Sequence, residues 1–286
     1  MKRILLPTDF SKNSLNAIQY ATKLFQDVAC EFYLLNVFRM PYFESEELMA
    51  QDIKQLTLME DQMHQSSREG MEKILKELPL NNKHEFKIIS DYNLLGLAVQ
   101  QLVEEKNIEL IIMGTKGATG AKEIFMGSNT GDIIMKNNCH VIAVPENQQF
   151  RIPKEILFPT DYRITYDLND LSPLINLALT CGSTIRIVHF TDKDKLDDLQ
   201  SRNKVNLDKH LSKVEHQYYT LSNNDFEEGV NCFIQSRANI DMIAIIAQHY
   251  GFFQRLLFKT TTRQAFRAIP TITRLLLLSN GWFRNF

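Results

Sequence analysis

Short apolar runs alternate along this chain with stretches whose apolar positions recur every three or four residues. The first run is Ile4–Pro7. After it, Leu15, Ile18, Tyr20-Ala21 and Leu24-Phe25 fall at helical spacing behind a Ser11-Lys12-Asn13-Ser14 cluster suited to capping a helix. Phe32–Val37 reads as a second strand. Glu44–Leu78 reads as a long amphipathic helix, interrupted or bent near Gln65–Gly70. Phe86–Ile89 is a third strand, Leu94–Glu105 a helix, Leu110–Met113 a fourth strand, Asn129–Lys136 a helix and Val141–Val144 a last strand. Strand–helix alternation of this kind predicts an α/β fold: an open, parallel, doubly wound Rossmann-like sheet with helices on both faces.

The pattern then repeats. Lys2-Arg3-Ile4-Leu5-Leu6-Pro7-Thr8-Asp9-Phe10 recurs as Lys154-Glu155-Ile156-Leu157-Phe158-Pro159-Thr160-Asp161-Tyr162, an offset of 152. Asn107-Ile108-Glu109-Leu110-Ile111-Ile112 recurs as Asn239-Ile240-Asp241-Met242-Ile243-Ala244, an offset of 132. The second copy is therefore shorter, and the Pro41–Pro79 segment is the place for the loss. Two tandem domains are predicted, 1–147 and 152–286. Strands of the second are expected at Ile156–Pro159, Thr184–His189, Tyr218–Leu221, Met242–Ile246 and Thr271–Leu277.

Candidate chemistry gathers at one edge of the first copy. Met113-Gly114-Thr115-Lys116-Gly117 follows a buried strand, and Gly127-Ser128-Asn129-Thr130 opens the next helix. Glycines let backbone approach a ligand closely, and the free N–H groups of a helix start favour an anion. Ligands of open parallel sheets sit at the carboxyl ends of strands where strand order reverses. Thr8 and Asp9 end the first strand, so Asp9 can accept hydrogen bonds from a ligand or cap a turn. Lys116 can pair with phosphate or stand solvated. The spacing is neither GxxxxGK[ST] nor GxGxxG. No GxSxG elbow is present, and the seven histidines include no i,i+4 pair of metal-ligand spacing. Neither catalytic nor metal-binding residues are assigned. His140 and His189 read as packed strand residues, and Met49, Met59, Met63 and Met71 as core or interface filling.

Composition narrows the partners. With 286 residues, 44% hydrophobic and 23% charged, the chain suits two ordinary globular cores. A net charge of −2 without a basic run gives no case for nucleic acid. No run approaches the ~18 apolar residues of a membrane span, and the initial apolar run is too short for a signal peptide. Four scattered cysteines, Cys30, Cys139, Cys181 and Cys232, read as reduced thiols of a cytoplasmic protein.

Ile4-Leu5-Leu6-Pro7-Thr8-Asp9-Phe10-Ser11, the strand ending Leu34-Leu35-Asn36-Val37, and Gly114-x2-Gly117-x9-Gly127-Ser128 together resemble the universal stress protein family, in its tandem-domain form. The resemblance implies ATP or another adenine nucleotide, with magnesium as a candidate companion. It implies that Asp9 and Val37 meet the adenosine part, and that Gly114, Gly117, Gly127 and Ser128 hold phosphates and ribose. Thr8, Met113, Lys116, Asn129 and Thr130 become their neighbours. In the second copy Ile246, His249 and Lys259 replace the three glycines and Thr260 replaces Ser128, so that half is expected not to bind. The resemblance further implies pairing through last strands, met here within one chain by Leu275-Leu276-Leu277-Leu278, with homo-oligomers as a further option. The apolar Trp282-Phe283-Arg284-Asn285-Phe286 is expected to dock on either domain or on another chain. A slow ATPase and a nucleotide-free interaction protein are the alternative functions.

Overall fold

Period-two alternation sends Ile4 and Leu6 to one face of a sheet and Leu5 to the other, and all three are 0% exposed. A strand buried on both faces must lie inside a sheet covered by helices on both sides. The computed structural model describes residues 1–39, 53–79, 81–115, 133, 139–146, 150–191, 195–222, 226–237, 239–246 and 274–278. In chain order the elements are β1 (Lys2–Pro7), α1 (Lys12–Leu24), β2 (Cys30–Phe38), α2 (Ile53–Glu77), β3 (His84–Tyr92), α3 (Leu95–Glu105), β4 (Leu110–Thr115) and β5 (His140–Pro145). The second half holds β6 (Glu155–Thr160), α4 (Leu168–Cys181), β7 (Thr184–Phe190), α5 (Asp198–Leu211), β8 (His216–Leu221), α6 (Phe226–Ser236), β9 (Ile240–Ile246) and β10 (Arg274–Leu278).

These strands form one ten-stranded sheet of order β3-β2-β1-β4-β5-β10-β9-β6-β7-β8. Within each half all neighbours run parallel, and the two five-strand orders mirror one another. The join is antiparallel, with Leu275, Leu276 and Leu277 of β10 opposite Ala143, Ile142 and Val141 of β5. One face is packed by Ile18 and Ala21 of α1, Met71 and Ile74 of α2, Leu174 of α4, and Leu207 and Leu211 of α5. The other is packed by Ala98, Val99 and Leu102 of α3 and by Val230, Phe233 and Ile234 of α6. Full burial of such side chains contributes ~1.5–3 kcal/mol each.

Most strands extend a residue or two beyond the apolar runs that announce them, because ladder bonding continues past the last buried side chain. The expected break near Gln65–Gly70 is absent: α2 runs unbroken from Ile53 to Glu77. Gly70 serves packing instead, since a Cβ there would lie 2.7 Å from the Phe10 ring. The Glu44 end of that expected helix, Met49, most of the Asn129–Lys136 helix and residues 271–273 lie outside the described residues. Among Asn129–Lys136 only Ile133 is described, helical and buried.

Candidate functional site

In the first half, β1 lies between β2 and β4, so crossovers leave it in opposite directions and a crevice opens at its carboxyl end. Thr8, Asp9 and Phe10 turn the chain there into α1. Buried Thr8 accepts the Phe10 N–H on Oγ1 at 3.1 Å and shares a 3.0 Å hydroxyl bond with Ser14. Asp9 Oδ1 accepts the Ser11 N–H at 3.1 Å, closing a side-chain turn. Phe10 therefore sits at φ 62°, an uncommon conformation for a bulky residue. Ser11 caps α1, its Oγ accepting the Ser14 N–H at 3.3 Å. Burial alone would raise the Asp9 carboxyl, but hydrogen bonds from the hydroxyls of Ser11 and Ser14 and from the backbone outweigh it and hold Asp9 below the ordinary carboxylate range. Asp9 is exposed and charged at the mouth of the crevice.

Behind this turn stands β2. Asn36 Nδ2 donates to the Thr8 carbonyl at 2.8 Å, and Asn36 Oδ1 accepts from Ser67 of α2 at 2.7 Å. Val37, the next residue, is half-buried. On the opposite side β4 continues through Gly114 and Thr115 rather than ending at Met113. Gly114 is required by a close approach: a Cβ there would lie 2.6 Å from Oδ1 of Asn13. Asn13 is buried and its Oδ1 has no hydrogen-bond partner among the described residues; the same holds for Oγ1 of Thr115. Both oxygens are buried near the end of β4, where polar groups ordinarily find partners.

Of the residues expected to form a site, Thr8, Asp9, Val37, Met113 and Gly114 are described. Thr8, Asp9 and Gly114 line the carboxyl ends of β1 and β4, with Val37 at that of β2. Met113 is 5% exposed and packs into the α3-side core. Lys116, Gly117, Gly127, Ser128, Asn129 and Thr130 lie outside the described residues. Asn13, Ser14 and Asn36 stand against Gly114 and Thr8, although the sequence shows them only as capping and strand residues. Asn13 could not be read, since its partner Gly114 is far away along the chain. No group of three His, Cys, Asp or Glu residues able to hold a metal occurs among the described residues.

The second half repeats the turn with larger side chains beside it. Thr160 Oγ1 accepts the Tyr162 N–H at 2.9 Å, Asp161 Oδ1 accepts the Arg163 N–H at 2.9 Å, and Tyr162 takes φ 56°. His189 stands where Asn36 does, with Nδ1 bonded to the Thr160 carbonyl at 2.9 Å. Where Thr8 meets the small Ser14, Thr160 meets the phenol of buried Tyr166. Ile156 pairs with Met242 as Ile4 pairs with Leu110, so Ile246 stands at the Gly114 position, 6% exposed. The remaining space is about 20 Å3, bounded by Thr160, Asp161, Tyr166 and Ile246 among others. That volume holds a water molecule at most.

The sequence model described as the Universal stress protein family matches residues 1–145. The chain is 29% identical over 161 residues to a universal stress protein of Methanocaldococcus jannaschii, spanning 50% of this chain and 94% of that protein. A second universal stress protein of the same organism is 29% identical over 152 residues, spanning 50% of this chain and 81% of that protein. Along the full tandem, the crystal structure of a universal stress protein from Archaeoglobus fulgidus covers 98% of both chains at 17% identity, with a TM-score of 0.66, and shares the fold.

Proposed function

Because the chain belongs to the universal stress protein family, we propose that its first half binds an adenine nucleotide at the carboxyl ends of β1 and β4, and that its second half does not. The contrast between Gly114 and Ile246 at one position of the fold carries this reading. At Gly114 the backbone, lacking a Cβ, packs against the Asn13 amide, and the unpartnered oxygens of Asn13 and Thr115 lie buried beside it. At the corresponding place of the second half stand the larger side chains of Ile246 and Tyr166.

In this reading Asp9 accepts hydrogen bonds from the ribose or the base, and half-buried Val37 supplies apolar contact to the nucleoside. The backbone after Gly114, with Lys116, Gly117, Gly127, Ser128, Asn129 and Thr130, takes the phosphates. A cytoplasmic setting accompanies it, supported by free, buried Cys30, Cys139 and Cys181. Magnesium would accompany the phosphates, and the second half serves as a structural partner.

Calorimetric titration of ligand-stripped protein with ATP and magnesium tests the assignment. One site per chain is expected, and Gly117→Val should abolish the heat without changing the circular dichroism. Two sites would overturn the side-chain argument. Absence of heat with ATP, ADP and AMP alike would leave Gly114 a packing glycine and favour an interaction protein.

A further inference from the structure

Between the halves lies a cavity of about 660 Å3, at the opposite end of the strands from the proposed nucleotide site. Its walls join Ile4, Phe25, Ile108 and Ile142 of the first half to Pro173 and Leu177 on α4 of the second, with Glu104 and Glu109 beside them. The volume falls within the ~300–1,000 Å3 of pockets that enclose drug-sized groups.

The internal repeat shows what covers the corresponding place. α1 ends with the Phe25 N–H on the Ala21 carbonyl, and α4 ends with the Gly182 N–H on the Ala178 carbonyl. Aligned on these ends, Tyr20 corresponds to Leu177, Gln19 to Asn176 and Lys23 to Thr180. On α1 that face is occupied by the chain leaving β5. The Phe150 ring lies 5.5 Å from the Tyr20 ring, Lys23 Nζ lies 5.9 Å from the Phe150 ring, and Asn16 Nδ2 donates to the Pro145 carbonyl at 3.1 Å. On α4 the same face borders the cavity.

The counterpart of the chain leaving β5 is the chain leaving β10. Val144 pairs with Gly114 as Leu278 pairs with Ile246, an offset of 134. Leu277 lies opposite Val141, which brings the end of β10 beside His140, a residue of the cavity wall. The same offset carries Phe150 to Arg284, next to Phe283 within Trp282-Phe283-Arg284-Asn285-Phe286. This segment lies outside the described residues. Its aromatic groups match the apolar wall, and its cation matches the two glutamates, which outnumber Lys2, the lysine of the same wall.

We propose that residues 279–286 of the same chain dock in this cavity, with Trp282 and Phe283 against Pro173 and Leu177 and with Arg284 toward Glu104 and Glu109. The contact clasps α4 to the amino end of the first half's sheet, as Phe150 clasps α1, so each half closes with the chain that leaves its own last strand.

Trp282 is the single tryptophan, so its emission reports on this segment alone in the full chain. Blue-shifted emission, protected from acrylamide and unchanged on dilution, is expected. Asn176 and Thr180 are exposed on the cavity side of α4, so N176R with T180R should shift the emission to the red and raise acrylamide quenching several-fold. Glu104→Lys, from α3 across the cavity, should do the same, while Gln19→Arg on α1 should not. Solvent-like emission in the unaltered protein would overturn the proposal. So would protection indifferent to the α3 and α4 variants, which places the segment elsewhere, or protection lost on dilution, which assigns it to a second copy.

Discussion

At Gly114 one missing carbon decides the packing. A Cβ there would lie 2.6 Å from Cγ and Oδ1 of buried Asn13, whose amide fills the space beside β4. Gly114→Ala is expected to lower stability by about 1–3 kcal/mol through overpacking, read as a lower urea midpoint. Adding Asn13→Ala should recover most of the loss, and a double-mutant cycle without coupling would show that Asn13 is not the obstacle. A second residue-scale effect concerns pH. Burial pushes His140 down to about 4. Burial, reinforced by the Asp167 charge, pushes Asp170 up to about 6. Their signs oppose. His140 ionises more easily unfolded, near 6.5, so its contribution is complete above that pH and is lost as pH falls toward 4. Asp170 protonates more easily folded, so its burial penalty is felt at neutral pH and relieved as pH falls from 6 toward 4. The two swings are similar in size, and solvent reaching both sites keeps each below the ~1.4 kcal/mol per pKa unit of a fully enclosed group. Urea midpoints at pH 7 and pH 5 should therefore differ little in the unaltered protein. Asp170→Asn should leave the protein weaker at pH 5 than at pH 7, and His140→Gln should leave it stronger at pH 5 than at pH 7. If neither variant changes the pH dependence, these groups do not govern it.

At the scale of elements, Asn36 holds three of them together: its amide donates to the end of β1 and accepts from Ser67 on α2 while belonging to β2. Asn36→Ala removes two buried hydrogen bonds and should lower the urea midpoint by the equivalent of about 2–3 kcal/mol. Asn36→His, the residue that holds the Thr160 carbonyl in the second half, should lose less. Equal losses would mean that the carbonyl contact contributes nothing. The sequence made the strands legible because their apolar runs are local, and it made the glycine-to-Ile246 change legible because the repeat supplies its own alignment. Ser11 was legible as a cap for the same reason, its bond to Ser14 spanning three residues. Asn36, Asn13 and Tyr166 were not: each acts by where a side chain lands across the sheet or against a helix. The interruption expected near Gln65–Gly70 failed for the same cause, since Gly70 answers to the Phe10 ring while its helix runs on.

At the scale of the molecule, ten strands make one sheet, and Ile142 and Val144 belong to the same apolar core as Ile156, Phe158 and Met242. Two halves that fold alike are thus coupled in two ways, by the β5–β10 ladder and by side-chain packing over it. Cooperative coupling of this kind predicts a single calorimetric transition for the whole chain. The ladder can be tested separately. Leu276 lies at the centre of β10, opposite Ile142 on one side and Ala244 on the other. Proline in a central strand removes a ladder donor and disturbs its neighbours. Leu276→Pro should accordingly split the transition in two: one near the original temperature for the first half, whose own five strands keep their parallel order, and one lower for the second half, which loses its edge against β9. If Leu276→Pro instead gave one transition, merely displaced downward, the packing from Ile142 to Ile156 would suffice to couple the halves, and the antiparallel ladder would set their register without binding their stabilities together.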